Sequence, residues 1–349
     1  MDSLTQAVLG AAVGFAVAGK SHPRRALLYG AAIATLPDLD IVVQYDNALD
    51  SFTRHRSFSH SLFVHILISP VLAFLCARNS KYFSLREWFW MFLLCLTTHA
   101  LLDALTVYGT QLFWPLNYSP VMGGSVFIID PLYTLPLFIL FMTVLIRPMG
   151  KQNLLLAYGV LLLGTMYLTS SLILQSRMST RVASELDRQN INTERVLITA
   201  APFTTFLWRV IVISDSFYYQ GFASIFDENL NIKFQRVKRG KPFLKLLSDS
   251  EYYDQLNWFS HGFNAARIED KKIIVSDLRM GVEPLYVFQF SLADQINNQW
   301  QYGVPKKLAE PDIPKETASW VFKRIFNQNV PLFPTGAISI SKTRNNAES

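Results

Sequence analysis

Up to about Ser176 the chain alternates long apolar runs with short polar breaks, and beyond it charged residues return at the density of a soluble protein. The runs are Leu4–Gly19, Ala26–Leu36, Ser61–Ala77, Trp88–Leu105, Pro131–Ile146 and Leu154–Leu174. Crossing the hydrocarbon core takes about 20 helical residues, so the last four suit membrane spans. The first two are shorter and rich in Ala and Gly, which leaves open a thin crossing, packing through small residues, or a re-entrant hairpin. Met1–Gln6 lacks the basic stretch of a signal peptide and is expected to stay in the mature protein.

Past the sixth run, Gln175–Asn190 reads as an amphipathic linking helix. The segments Arg209–Asp227, Ile232–Val237, Lys271–Met280 and Leu285–Leu292 are β-branched and aromatic, broken by Gly, Asp and Asn, as strands are. The pattern predicts a multi-pass α-helical membrane domain of about six helices over 1–176, then a mainly antiparallel α+β soluble domain over 177–335. One or two helices are expected, around Asp249–Trp258 for instance, and the tail over 336–349 is expected to fray.

Composition adds orientation. Hydrophobic residues make up 50% of the chain and charged residues 17%, so the placement of the charges matters more than their number. Lys20, Arg24, Arg25, Arg78, Lys81, Arg86, Arg147 and Lys151 fall in the odd-numbered connections, against Arg54 and Arg56 in the even ones. The positive-inside rule then puts the odd connections in the cytoplasm and the soluble domain outside, in the periplasm of a bacterial inner membrane. These loops also account for the net charge of +6, which therefore does not point to nucleic acid. The chain has two cysteines, Cys76 and Cys95, both in apolar runs, so the soluble domain has no disulfide.

Under this topology Asp38, Asp40, His55, His60, His99, Asp103 and Asp130 all fall at the outer ends of helices. Ionisable residues at membrane depth are costly enough to suggest function. His99 and Asp103 stand at i, i+4 and share a helical face, as ligands of one ion or as a hydrogen-bonded clamp. Pro37 ends the second run and frees Asp38 or Asp40 to face a site, one as ligand and the other as its orienter. His55 and His60 are candidate ligands across a loop-to-helix junction, where Ser59 is a candidate cap of the third run. Arg54 or Arg56 offers an anion clamp for a phosphate or carboxylate group. His65, a turn deeper, reads as a buried hydrogen-bonded histidine, and His22 and His261 as unrelated to the site. Imidazole and carboxylate without thiolate suit zinc, with manganese or magnesium as alternatives.

The strings MDSLTQAVLGAAVG, LPDLD, HRSFSHSLF, THALLDALTVYGTQLFWP and IIDPLYTLP, in this order, resemble the YdjM-type family of inner-membrane proteins classed as metal-dependent hydrolases. FLWRVIV and DLRMG resemble its longer members, which carry an appended domain. The chain is more distantly similar to zinc-dependent phospholipase C enzymes. The resemblance implies a membrane location and a hydrolase class, and no substrate. Gln6 stands where many such relatives have His, which puts a second or third metal in doubt.

Two functions follow. One is a membrane-embedded hydrolase of an ester or phosphoester, with His60, His99, Asp103 and Asp38 or Asp40 as ligands. Asp130 would then be general base, and Arg56 would steady an anionic or amphiphilic substrate, possible lipid components included. The other is a non-catalytic protein whose His/Asp cluster clamps helices while the outer domain binds a partner that the sequence does not name. The uncharged, aromatic loop Thr106–Phe127 is either a lid or an interfacial belt. The sequence shows no phosphate-binding Gly loop, nucleic-acid module or nucleophile elbow.

Overall fold

The computed structural model describes residues 1–148, 151–228, 231–312 and 314–331, so the tail expected over 336–349 lies outside the described residues. The chain divides into two compact units: Met1–Gln44 with Arg54–Leu172, and Tyr45–Thr53 with everything from Ile173 onward. The main division falls after Leu172, and the short stretch 45–53 belongs with the second unit rather than the first.

In the first unit each of the six apolar runs forms a helix: α1 (Ser3–Ala18), α2 (Pro23–Thr35), α4 (Leu62–Asn79), α5 (Leu85–Ala104), α6 (Pro131–Ile146) and α7 (Lys151–Arg188). A short helix, α3 (Ala48–Arg54), lies between α2 and α4. Their ends follow local chemistry. Asp2, Ser61, Ser84 and Asp130 each place a side-chain oxygen on backbone N–H groups of the first turn of α1, α4, α5 and α6. Ser61, not Ser59, therefore caps the third apolar run.

Helices α1 and α2 form a close hairpin. A Cβ on Gly10 would lie 2.1 Å from the Ala34 Cβ, and one on Gly30 would lie 2.2 Å from the Gly10 carbonyl oxygen. Small residues let the two backbones touch. Phe15, Ala11 and Ala12 of α1 are buried in the core with Met91 and Cys95 of α5 and Val144 of α6. By contrast Leu67 and Ile66 of α4, Leu135 of α6, and Leu155 and Leu162 of α7 are exposed. Apolar faces of this extent are stable against lipid rather than water.

Two described helices, Leu62–Asn79 and Gln152–Arg188, are long and apolar enough to cross a membrane, while Ser3–Ala18 and Pro131–Ile146 are apolar but shorter. The linking helix expected over Gln175–Asn190 is no separate element. No Pro or Gly interrupts the chain after Gly164, and α7 continues unbroken to Arg188.

The second unit holds two antiparallel four-stranded sheets. One runs β1 (Arg195–Ala200), β2 (Leu207–Ile213), β3 (Phe217–Ser224), β4 (Gln235–Lys238) in sequential order. The other contains β5 (Asn264–Glu269), β6 (Lys272–Asp277), β9 (Gln289–Ile296) and β10 (Gln299–Lys307) in the order β10-β9-β6-β5, and β7 (Gly281–Val282) pairs with β8 (Leu285–Tyr286) as a small hairpin. β2 is buried along its whole length, packing Trp208, Val210 and Val212 against Met178 and Val182 of α7. Helices α8 (Lys241–Leu246), α9 (Glu251–Phe259) and α10 (Thr317–Phe326) complete it, with α9 close to the helix expected around Asp249–Trp258.

Candidate metal centre

α2 ends at Thr35 because Pro37 cannot continue it, and the chain tightens into a 3-10 turn over Pro37–Val42. That turn carries Asp38 and Asp40. A second 3-10 turn, Phe58–His60, delivers His60 just before the Ser61 cap of α4. The last turn of α5 supplies His99 and Asp103 from one face. One ligand atom from each of Asp38, His60, His99 and Asp103 lies within 4.8 Å of every other.

The His60 Nε2 is 3.1 Å from the His99 Nε2 and 3.1 Å from Asp103 Oδ2. Asp38 Oδ1 is 3.4 Å from His99 Nε2 and 3.7 Å from His60 Nε2, and Asp103 Oδ2 is 3.5 Å from His99 Nε2. Four donors bonded tetrahedrally at about 2.0–2.1 Å would be spaced by about 3.3 Å, so these separations suit a zinc-sized cation.

His99 Nδ1 lies 2.6 Å from the Ala34 carbonyl oxygen, which only accepts, so Nδ1 carries the proton and Nε2 a lone pair. Ser59 Oγ donates to Asp40 Oδ2 at 2.6 Å and so accepts from His60 Nδ1 at 2.9 Å. That leaves a lone pair on His60 Nε2 as well. With both rings neutral, two imidazole lone pairs and two carboxylate oxygens converge, an arrangement that suits a cation.

A surrounding shell fixes these groups. Asp103 Oδ1 accepts from Gln6 Nε2 at 3.0 Å and from the Met1 amino group, while Arg56 Nε stands 3.1 Å from Oδ2. Gln6 is fully buried, and its Oε1 has no hydrogen-bond partner among the described residues. Arg56 Nη1 donates to Thr106 Oγ1 at 3.2 Å, and the guanidinium lies 4.9 Å over the Tyr108 ring. Arg56 also has φ of 62°, a left-handed conformation rare outside glycine. The side chains of His60, His99 and Asp103 are 0% exposed and that of Asp38 is 22% exposed, so the quartet reaches the surface through Asp38.

The remaining sequence candidates take other places. Asp40 Oδ1 holds His55 Nδ1 at 2.7 Å, and its Oδ2 accepts from the Arg56 amide at 3.0 Å, so Asp40 and His55 flank the quartet without joining it. Asp130, the expected base, is drawn into its own helix end. Its Oδ1 accepts from the Leu132 and Tyr133 amides, and its Oδ2 accepts from the Tyr167 hydroxyl at 2.8 Å. A buried carboxylate one residue before a proline-led helix serves as its N-cap, and the structure does not bring it into the quartet. His65 Nε2 donates to the Ser59 carbonyl oxygen at 2.8 Å, and His22 packs against Tyr82 and Phe83. The sequence marked Ser59 as a candidate cap and Gln6 as standing in the place of a His; only their spatial neighbours identify Ser59 as a relay and Gln6 as a support.

Loop 106–127 is anchored at its base and exposed at its tip. Thr110 and Val121 exchange backbone hydrogen bonds, Gln111 N donates to the Arg56 carbonyl oxygen at 2.9 Å, and Ser61 Oγ donates to the Trp114 carbonyl oxygen at 2.6 Å. Phe113, Trp114, Leu116 and Tyr118 remain exposed. Hollows of about 350 Å³ and 550 Å³ lie around the turn from α4 to α5, at the far end of α4 from His60, and contain none of the quartet.

Residues 1–178 match the sequence profile of the YdjM inner membrane protein family. The chain is 32% identical over 117 residues to "Inner membrane protein YbcI" of Escherichia coli (strain K12), a match covering 33% of this chain and 67% of that protein. It is also 32% identical over 145 residues to "Uncharacterized protein YfhP" of Bacillus subtilis (strain 168), covering 38% of this chain and 42% of that one. No solved structure matches.

Proposed function

The chain belongs to the YdjM inner membrane protein family, and from that membership and the His/Asp quartet we propose that it is a membrane-embedded, metal-dependent hydrolase of an ester or phosphoester. One observation carries the reading: four nitrogen and oxygen donors on three chain segments converge within 4.8 Å of one another, with the Nδ1 of each histidine engaged elsewhere. Asp38, His60, His99 and Asp103 would hold the ion, with zinc favoured by donor type and spacing and manganese or magnesium as alternatives. When bound, a divalent ion of this kind activates water and polarises a carbonyl or phosphoryl oxygen.

The chain's own residues do the rest. Arg56 lies 3.1 Å from Asp103 and adds positive charge that an anionic substrate group would meet. His55, with Nδ1 on the Asp40 carboxylate, leaves Nε2 to take a proton from water and return it to the leaving oxygen. This assigns proton transfer to His55 in place of Asp130. The aromatic tip of loop 106–127 excludes water and suits an amphiphilic substrate arriving from the lipid. The helical unit is placed in the inner membrane as a multi-pass domain, with the quartet and the second unit on the outer side, on the charge asymmetry of the loops.

The test is elemental analysis of purified protein followed by a screen of phosphodiesters, phosphomonoesters and carboxylic esters in detergent and in lipid, with and without chelator. Stoichiometric metal and chelator-sensitive hydrolysis are expected. Metal-free, fully folded protein without hydrolysis would favour the alternative, a shared-proton clamp tying α2, α4 and α5 together. The burial of three of the four donors is the observation on that side.

A further inference from the structure

We infer that an aromatic ridge on the second unit, Phe226, Phe322 and Phe326, lies in the headgroup layer of the membrane that α7 crosses and seats that unit on the bilayer surface. Of the reading above this uses only α7 as a membrane span; neither the metal nor hydrolysis enters.

The ridge breaks the pattern of the helix that carries it. α10 buries Trp320, Val321 and Ile325 in one core with Leu207 of β2 and Phe222 of β3. The outward face of such a helix is normally polar, yet Phe322 and Phe326, one turn apart, are 57% and 74% exposed. Phe226, 51% exposed on the loop after β3, stacks on Phe326 with ring centroids 5.3 Å apart, and its ring lies 5.9 Å from Phe206. Polar contacts hold the two segments together behind the rings. Arg324 donates to both oxygens of Asp227 at 2.9 Å, and Ser224 Oγ donates to the Ile325 carbonyl oxygen at 2.6 Å. A fixed, contiguous apolar surface of this kind marks a contact site.

Its height along α7 names the contact. The apolar run ends at Leu174, Ile173 is half exposed, and Arg177 is the first charged residue beyond them. All three lie in the part of α7 that belongs to the second unit. Arg181 Nη2 donates to the Asp227 carbonyl oxygen at 3.0 Å, and Arg188 Nη2 to Asn231 Oδ1 at 3.4 Å. The loop after β3 therefore climbs away from the apolar run between Asp227 and Asn231, and Phe226 stands at its lower end. At about 1.5 Å per residue Arg181 is about 10 Å past Leu174, and helical side chains lean back toward the N-terminus, so its partner stands no higher. Headgroups occupy about 5–8 Å on each side of the hydrocarbon, which puts the ridge at their level. Phe beside Lys on an exposed helix face is the make-up of elements that lie in this layer, and the exposed Lys323 between Phe322 and Phe326 suits lipid phosphates.

The experiment uses full-length protein carrying Cys76→Ser and Cys95→Ala, reconstituted in vesicles of phosphatidylethanolamine and phosphatidylglycerol. A spin label is attached in turn through Phe326→Cys, Phe226→Cys, Leu163→Cys and Val304→Cys. Leu163 is exposed on α7 within the apolar run, and Val304 is exposed on β10 of the other sheet. Collision of each label with oxygen, which concentrates in lipid, is compared with collision with a water-soluble nickel chelate. Labels at the Phe326 and Phe226 positions are expected to meet oxygen and lose collision with the chelate, at a shallower depth than the label at Leu163, while the label at Val304 meets the chelate freely. Free access of the chelate to both ridge positions overturns the inference. So does exclusion of both reagents there, the result for a ridge covered by a second copy or by another part of this chain. Loss of chelate access at Val304 equal to that at Phe326 also overturns it, because lipid would then select no face of the unit. A label at Leu163 that meets the chelate freely defeats α7 as a span, and the inference falls with that reading rather than by itself.

Discussion

The Nε2 atoms of His60 and His99 face each other at 3.1 Å, although 39 residues separate them and each already uses its Nδ1 elsewhere. Two neutral imidazoles cannot share that approach without a proton or a cation between them. The pair is therefore a direct reporter of what the site contains.

His60→Ala, His99→Ala and Asp103→Ala should each lose most of the bound divalent metal, while His65→Ala should keep it because the His65 side chain bonds the Ser59 carbonyl oxygen and lies outside the quartet. Elemental analysis of the four purified variants, after a check of folding, measures this. Full retention of metal in His99→Ala would remove the quartet as the site.

Ser59→Ala breaks the chain from Asp40 through the hydroxyl to His60 Nδ1 without touching a ligand. Loss of such a supporting contact typically lowers metal affinity about 10–100-fold. Chelator competition reads it, and Ser59→Thr should restore much of the affinity.

Asp40 gives a signed pH effect in metal-free protein. Burial opposes its ionisation, but His55, the Ser59 hydroxyl and the Arg56 amide outweigh burial and lower its pKa below the usual range. A carboxyl depressed in the folded state stabilises it above the unfolded value of about 3.9 and loses that contribution as pH falls through the folded value. Thermal unfolding should show a fall in stability below about pH 4, with the Asp40→Asn variant less stable at neutral pH and flatter through the acid range.

Gly30→Val tests the α1–α2 hairpin. The added Cβ meets the Gly10 carbonyl oxygen at 2.2 Å, and backbone rather than a flexible side chain must move. Overpacking of this kind costs about 1–3 kcal/mol or more. Since the Ala34 carbonyl that orients His99 is on α2, metal affinity should fall together with stability in denaturant titration.

Loop charges predict topology. Reporter fusions after Thr110 and Arg188 should report the periplasm, and fusions after Arg25 and Ser80 the cytoplasm. A cytoplasmic signal after Arg188 would reverse the proposed orientation.

Helix positions were legible in the sequence because an apolar run of 11–21 residues bounded by Pro, Ser or Asp has few alternatives: α1, α2, α4, α5, α6 and the start of α7 fall on the six runs. The strands of β2, β3, β6 and β9 were legible from β-branched and aromatic residues, whereas β1, β5 and β10 carry weaker signals and are fixed by pairing with neighbours. His99 and Asp103 at i, i+4 needed only helical periodicity to share a face.

What the sequence could not resolve was the choice among equivalent carboxylates. Asp38 and Asp40 are two residues apart on a turn, and Asp130 shares their placement at a helix end. Which faces the histidines, which orients the loop and which caps a helix depends on segments brought together from far along the chain. The insertion of Tyr45–Thr53 into the second unit is of the same kind: Phe52 is an ordinary apolar residue until Phe259, Phe288 and Phe290 surround it. Local pattern determines elements because backbone hydrogen bonding and burial periodicity act over a few residues. Site membership is decided by tertiary structure, because donor atoms only a few ångströms apart come from segments as much as 65 residues apart in sequence.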